Sequence, residues 1–386
     1  MTPRPPSVRG GVEPFHVMEV LKAVAERRRT HDDVIALCVG QPSTPAPAAV
    51  LAEAARALGS DVLGYTEAVG TLAFRSAIAG HYRDQYELSV DPDAVLVTTG
   101  SSGGFLLTLL AAFDPGDLVA MARPGYPAYR NDIVAVGCRL IELECGPRTR
   151  YQPSVAMLEA LPEKPAGLVI ASPANPTGTI IEPAELAAIS RWCAANDVLL
   201  ISDEIYHGIS FGRSNDSAWQ FSRDCVVVGS LSKYQSMTGW RVGWLLLPDA
   251  LRRPVELLQG NLAICAPALS QAAGCVAFGP DARAELDAHV DRYAANRDIL
   301  LARLPELGIT SFAPPDGAFY AWCDIGHLTD DSQRWCAEVL AATGVALAPG
   351  IDFDPVGGHR FMRLSFCGMS DEITEGIDRL VRYLDR

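Results

Sequence analysis

Near-continuous apolar runs recur along the middle of the chain: AVLVTTG (94–100), DLVAMARPGY (117–126), GLVIASPANPTG (167–178), VLLISDEIY (198–206) and CVVVGSLSK (225–233). They are rich in β-branched residues and lack polar alternation, the pattern of strands buried on both faces. Between them lie stretches with helical spacing, FLLTLLAAF (105–113) and EPAELAAISRWCAAN (182–196). Strands alternating with helices predict an α/β fold whose mainly parallel sheet is flanked by helices. Upstream, residues 13–30 read as an amphipathic helix, VGQPSTPAPAAV breaks the chain, and 49–60 and 71–87 read as helices. From about residue 285 the pattern changes: a long helix over 281–303 leads to the short segments GAFYAWCDI, VALAPG and RFMRLSF and to a final helix. This predicts a second, smaller α+β lobe, with which the N-terminal segment is expected to pack. The expected division is a large domain over 45–284 and a small domain formed by 1–44 and 285–386.

Each apolar run ends in Gly, Ser, Asn, Asp or Tyr. In open α/β sheets, ligands bind beyond the carboxyl ends of the strands. Gly100 to Ser102, Tyr126, Asn175, Asp203 and Ser230 to Lys233 are therefore expected to converge on one crevice.

Composition narrows the function. A net charge of −14 over 386 residues argues against a nucleic-acid or anionic-membrane partner, since both need basic patches. The N-terminus has no apolar signal region, and the longest apolar stretch is too short to span a bilayer, so a cytoplasmic protein is expected. The 10 cysteines show no C-x-x-C pair and no clustered Cys/His spacing, so free thiols are expected and a metal site is not. Lysine is scarce: Lys22, Lys164 and Lys233 stand against 29 arginines among 32 basic residues. Arginine replaces lysine as a surface charge but not as a primary amine that must condense with an aldehyde.

Lys233 follows a strand run and has Ser230 and Ser232 before it and Arg241 after it. Hydroxyls and a guanidinium suit a phosphate, an amine suits an aldehyde, and pyridoxal phosphate carries both groups. Asp203, ending VLLISD, reads either as an N-cap for the segment EIYHG or as a partner for a protonated pyridine nitrogen. Gly100-Ser101-Ser102-Gly103 between strand and helix suits a phosphate. The same stretch matches a serine-hydrolase elbow, Gly100-x-Ser102-x-Gly104, with Asp203 or Asp324 and His327 or His359 as partners. Asn175 lies in turn chemistry, SPANPTG. Arg363 lies inside the apolar FMRLSF and needs an anion, either a protein carboxylate or a substrate carboxylate. His207 receives no role.

The segment SLSKYQSMTGWRVGW closely resembles the lysine segment of class I/II aminotransferases, pyridoxal-phosphate enzymes of fold type I. The likeness extends in order through Gly40-Gln41-Pro42, Gly64-Tyr65, TTGSS, RPGYPAY, NPTG, SDEIY, ALAPG and FMRLSF, nearly the whole chain, and is to the aspartate aminotransferase-like group. The resemblance implies a seven-stranded-type sheet and a homodimer. It implies Lys233 as the Schiff-base lysine and proton shuttle, Asp203 at the pyridine nitrogen, and Tyr206 and Asn175 at the ring's phenolic oxygen. Tyr126 would stack on the ring. Ser101, Ser102, Ser230 and Arg241 would hold the phosphate, with Tyr65 reaching in from the partner subunit. Arg363 would clamp the substrate α-carboxylate, helped by Asn175 and the Gly40 backbone.

The sequence departs from dicarboxylate-specific relatives in two places. Some carry a lysine near the position of Ser102. Others use an arginine in the region that corresponds to GNLAICAPALSQ (260–271), which has no basic residue. A neutral donor such as alanine, valine or an aromatic amino acid is therefore expected, in ping-pong transamination with a 2-oxo acid. β-Elimination and cyclopropane formation on the same scaffold are the alternatives, followed by hydrolysis through Ser102.

Overall fold

The structure is a computed structural model that describes residue 5 and residues 7–385. Seven strands form the central sheet: β2 (Val95–Thr98), β3 (Leu118–Arg123), β4 (Arg139–Glu144), β5 (Gly167–Ala171), β6 (Leu199–Asp203), β7 (Val226–Ser230) and β8 (Gly243–Leu246), in the order β2-β8-β7-β6-β5-β3-β4. The five strands expected from the apolar runs are present. The edge strand β4 and the inserted β8 were not anticipated. β4 alternates and is partly exposed, and β8 lies among the turn residues that follow Lys233. β8 runs antiparallel to β2 and β7, while the other pairs are parallel. All strands but β8 thus end at one edge of the sheet.

Helices α2 (Ala48–Ser60), α3 (Leu72–Tyr86), α4 (Gly100–Ala112), α5 (Pro127–Ala135), α6 (Val155–Glu159), α7 (Pro183–Ala195), α8 (Asp249–Leu262) and α9 (Ala268–Gly274) cover the sheet. One face carries a core around Phe74, Ile78, Tyr82 and Trp244, and the other a core around Phe105, Tyr129 and Ile133. Burial on both faces explains why β5, β6 and β7 are apolar up to their carboxyl ends.

The long α10 (Pro280–Arg303) leads to an antiparallel sheet of β9 (Tyr320–Asp324), β11 (Ala348–Pro349) and β12 (Phe361–Ser365). α11 (Ser332–Thr343) and α12 (Ser370–Leu384) pack beside it. β1 (Ile35–Ala36) pairs in parallel with β10 (Val345–Ala346), so the N-terminal segment joins the C-terminal region. α1 (His16–Arg27) lies against β11. Its first amides are capped from far along the chain: His16 N and Val17 N each donate to the Asp352 carboxylate at 2.9 Å. The cysteines are free, Cys265 and Cys275 half-buried and the others buried. Among the described residues no helix is long and apolar enough to cross a membrane.

Candidate active site

A cavity of about 260 Å³ opens at the edge where the parallel strands end. Of the residues expected there, Gly40, Ser101, Ser102, Tyr126, Asn175, Asp203, Tyr206, Lys233, Arg241 and Arg363 border it. Gly100 and Ser230 do not, and Tyr65, expected at the partner subunit's site, does not either. Ser230 lies behind the wall: its Oγ is 2.8 Å from Ser232 Oγ and 3.2 Å from the Val242 carbonyl. Ser232 takes the bordering position. Tyr65 is 83% exposed on the outer surface.

Lys233 is half-buried in the loop that follows β7, and its Nζ donates to the Gly40 carbonyl at 2.6 Å. Burial draws its ammonium down to about 8, with Arg363 pushing the same way and Asp203 opposing. Asp203 closes β6. The segment after it is a turn, so Asp203 caps no helix. The Tyr129 hydroxyl donates to Oδ2, and the Ile205 amide donates to Oδ1 at 3.2 Å. Burial pushes the Asp203 carboxyl up to about 6, while those hydrogen bonds and Lys233 hold it down. It is therefore mainly ionised at neutral pH.

α4 begins at Gly100, and Thr99 offers it no side-chain cap, so its first-turn amides remain free for an anion beside Ser101 and Ser102. The Arg241 guanidinium lies directly on Gly100: a Cβ there would stand 2.4 Å from Nη2. Gly243 allows a second close approach, since a Cβ on it would be 2.9 Å from the Ser101 amide nitrogen. Two glycines thus let a strand, a helix start and a guanidinium meet in one small volume. Tyr126, just before α5, sets its ring edge-on to Tyr129, with centroids 5.3 Å apart.

The opposite wall holds Arg363, the middle residue of β12, only 2% exposed. Its Nη1 donates to Asn175 Oδ1 at 2.8 Å and its Nη2 to the Cys38 carbonyl at 2.6 Å. The guanidinium lies over the rings of Tyr320 and Phe353, 4.3 Å and 4.7 Å from their centroids. Its Nε has no partner, and among the described residues no carboxylate pairs with Arg363. A buried cation satisfied only by neutral acceptors leaves a strong demand for an anion. Tyr206 and Tyr320 join hydroxyls at 2.7 Å beside it. Phe15, Val17, Met18 and Leu21 of the N-terminal segment complete this wall with apolar surface.

Several of these residues escaped sequence reasoning. Tyr129 lies three positions after Tyr126 with nothing local to mark it, and Tyr320 reads as an ordinary strand residue. Asp132 also borders the cavity, its carboxyl without ion pair or hydrogen bond among the described residues, and burial pushes it up to about 6. The apolar stripe of α1 was visible, but not what it covers. The hydrolase arrangement at Ser102 is not assembled. No histidine borders the cavity; His327 bonds to the Leu307 carbonyl at 3.0 Å and His359 to the Val356 carbonyl at 3.1 Å. Asp324 pairs with Arg360 instead.

An amine, an acid and a guanidinium at the strand ends of a mostly parallel sheet, faced by the buried Arg363 of the smaller antiparallel sheet, define a centre for covalent chemistry on small anions. Comparison with known proteins gives that centre a family. The profile for aminotransferases of class I and II matches residues 32–381. The valine–pyruvate aminotransferase of Mycobacterium tuberculosis is 53% identical over 380 residues, 98% of each chain. A crystal structure of an aminotransferase from Mycobacterium tuberculosis superposes with a TM-score of 0.97 at 53% identity, covering 99% of this chain and 100% of that one. That of a putative aminotransferase from Silicibacter pomeroyi gives 0.92 at 43% identity, with the same coverage. The chain belongs to the class I and II aminotransferases. The expected fold type I architecture is borne out.

Proposed function

We propose that this aminotransferase uses pyridoxal phosphate to move the amino group of a neutral L-amino acid, such as alanine or valine, to a 2-oxo acid such as pyruvate. The observation that carries the reading is Arg363, a buried guanidinium without a carboxylate partner, in the same cavity as Lys233. The residues present fit the cofactor: uncapped α4 amides and Arg241 suit its phosphate, Asp203 its ring nitrogen, and Lys233 its aldehyde.

When bound, pyridoxal phosphate supplies the aldehyde that takes the amino group and the ring that accepts the electron pair freed at the substrate Cα. Lys233 would hold the cofactor through its aldehyde. Its Nζ, with proton affinity already lowered by burial, would take and return the proton at the substrate Cα. Asp203 would pair with the protonated ring nitrogen. Tyr206 and Asn175 would hold the phenolic oxygen, and Tyr126 would lie against the ring. Ser101, Ser102, Ser230 and Arg241 hold the phosphate, Ser230 through Ser232. Arg363, Asn175 and the Gly40 backbone orient the α-carboxylate. A 2-oxo acid then runs the same steps backwards, giving ping-pong kinetics.

The side-chain preference follows from the cavity wall. The lysines and arginines bordering it are Lys233, Arg241 and Arg363, each already assigned. Asp132 adds a carboxylate, and α1 adds apolar surface. A second substrate carboxylate would be desolvated beside an acid without a cation, which is heavily disfavoured. The similarity to a valine–pyruvate aminotransferase supports the same choice.

We further propose a homodimer in which Tyr65 of the partner subunit reaches the phosphate. Support comes from exposed apolar residues beside it, with Val62 at 98% and Leu262 at 59% exposure. We propose residues 45–284 as the cofactor domain and 1–44 with 285–386 as the smaller one, supported by the β1–β10 pairing. The free thiols support a reducing cytoplasm.

The test is steady-state comparison of alanine, valine, phenylalanine and aspartate as donors, following both products so that elimination would also be seen. Neutral donors are expected to exceed aspartate in kcat/KM by at least about 100-fold. A preference for aspartate would overturn the substrate reading.

A further inference from the structure

Glu204 follows Asp203 directly, and the mechanism leaves it idle. Ser172 N donates to the Asp203 carbonyl at 3.2 Å, and Glu204 N donates to the Val228 carbonyl at 3.0 Å. Strand pairing therefore runs one residue past β6, and consecutive side chains leave on opposite faces of the sheet. Asp203 meets Tyr129 of α5 on one face. Glu204 enters the other, among Tyr82 and Tyr86 of α3 and Trp244 of β8. It is 4% exposed. Its Oε1 accepts from Ser202 Oγ at 3.0 Å and from the Ala218 amide at 2.8 Å, while Oε2 reaches no partner.

The surroundings supply no cation. Glu204 borders a void of about 20 Å³, a volume that suits one water molecule, together with His81, His207 and Gln235 but no lysine or arginine. His207 Nε2 lies 3.0 Å from the Ser172 carbonyl, so this nitrogen carries the hydrogen. Nδ1 then accepts from the Tyr86 hydroxyl at 2.6 Å. Nδ1 is 3.7 Å from Glu204 Oε2, but burial keeps this imidazole neutral down to about 3. His81 is likewise held neutral, down to about 4. Tyr82, Tyr86 and Cys225 face Glu204 from the other packed elements, and burial pushes all three upward, so they too stay uncharged. Asp216 and Asp203 add negative charge nearby. Beyond His207 and Gln235 lies a larger polar cavity of about 630 Å³, with Asp84, Asp216, Asp287 and Arg283 along it, which offers protons a way in.

We propose that Glu204 is a positioning residue that holds the single proton of a buried carboxyl pair, so that the negative charge stays on Asp203. Two adjacent buried carboxylates repel, and only Asp203 has a cation and a phenol to stabilise its charge. Burial pushes Glu204 up to about 8, against hydrogen bonds from Ser217, Ala218 and Ser202 and with Asp203 adding a smaller push, while Asp203 stands at about 6. Between those values the pair carries one charge. The use of that charge rests on Asp203 serving the ring nitrogen; the location of the proton does not.

Infrared difference spectra of the wild-type, Glu204→Gln and Asp203→Asn proteins, with and without cofactor, test the proposal. A protonated-carboxyl band is expected at pH 7, lost in Glu204→Gln and kept in Asp203→Asn. A band lost in Asp203→Asn instead, or no band, overturns it. Thermal stability gives an independent readout. Above the ordinary value of 4.5 the unfolded chain releases this proton, while the folded chain keeps it to about 8. Glu204 therefore costs the fold progressively more stability as pH rises through that window. The Tm of Glu204→Gln relative to wild type should climb by at least about 2 °C from pH 5 to pH 8. A flat difference overturns the proposal. If Glu204→Gln does not fold, disappearance of the wild-type band between pH 7 and pH 9 supports it, and a band unchanged over that range overturns it. Full turnover by Asp203→Asn with the Glu204 band intact would sink the cofactor reading alone.

Discussion

The sheet-side wall of the cavity and the wall that faces α1 meet at Lys233, yet they are assembled over different distances along the chain. On the sheet side, β7, Ser232, Lys233, Thr238 and Arg241 follow within a few residues, and the contacts among them are short-range: Ser230 to Ser232, Arg241 to Thr238. On the other side, Arg363 reaches Asn175 across 188 positions and Cys38 across 325, and Val17 reaches Asp352 across 335. In the proposed function the first wall holds the cofactor, which serves every substrate, and that wall can be written as motifs. The second decides which amino acid enters, and it exists only where distant segments pack.

Breaking the shared hinge of the two walls has the largest effect. Lys233→Ala should fold, with an unchanged Tm in the absence of cofactor, and lose turnover by about 10⁴-fold or more, since the same amine anchors and moves the proton. Single-turnover kinetics on the purified variant check it.

Arg363→Gln attacks the substrate wall alone. The loss in kcat/KM should be about 100-fold for amino acids, and Arg363→Lys should recover little, because one ammonium cannot serve Asn175, Cys38 and a carboxylate in a plane. Amines that lack an α-carboxylate should react at unchanged low rates, which separates carboxylate binding from a general disturbance.

Tyr129→Phe sharpens the sheet side. The hydroxyl donates to the ionised form of Asp203, so its removal raises the Asp203 value above about 6. The acid limb of the kcat/KM profile should move upward by about one pH unit, with little change above pH 8.

Asp352→Ala gives the smallest effect. It uncaps α1 at a cost of about 1 kcal/mol and should raise KM about fivefold for valine with kcat nearly constant. Restoration of wild-type KM by Asp352→Asn would attribute the effect to the cap rather than to charge.

Much of the sheet-side wall was legible because buried parallel strands cannot hold polar groups within their length, so those groups collect at the strand ends. Asp203, Asn175 and Lys233 stand out for that reason. Ser232 borders the cavity and Ser230, the last residue of β7, does not; two hydroxyls on either side of a strand end do not announce which one faces outward. β8 was missed because its residues are few and its direction is set by pairing with β2 and β7. Tyr129, Tyr320 and Asp132 carried no local mark at all.

The chain by itself determined the alternation of strands and helices, the scarce amine and the acid beyond an apolar run, since periodicity and the cost of burying charge are properties of neighbours in sequence. Tertiary structure alone decided that Arg363 meets no carboxylate among the described residues, that Asp352 caps α1, and that Glu204 and Asp203 part to opposite faces with different partners. Those outcomes depend on which distant atoms come within hydrogen-bonding distance, and the energy of a buried charge is set there.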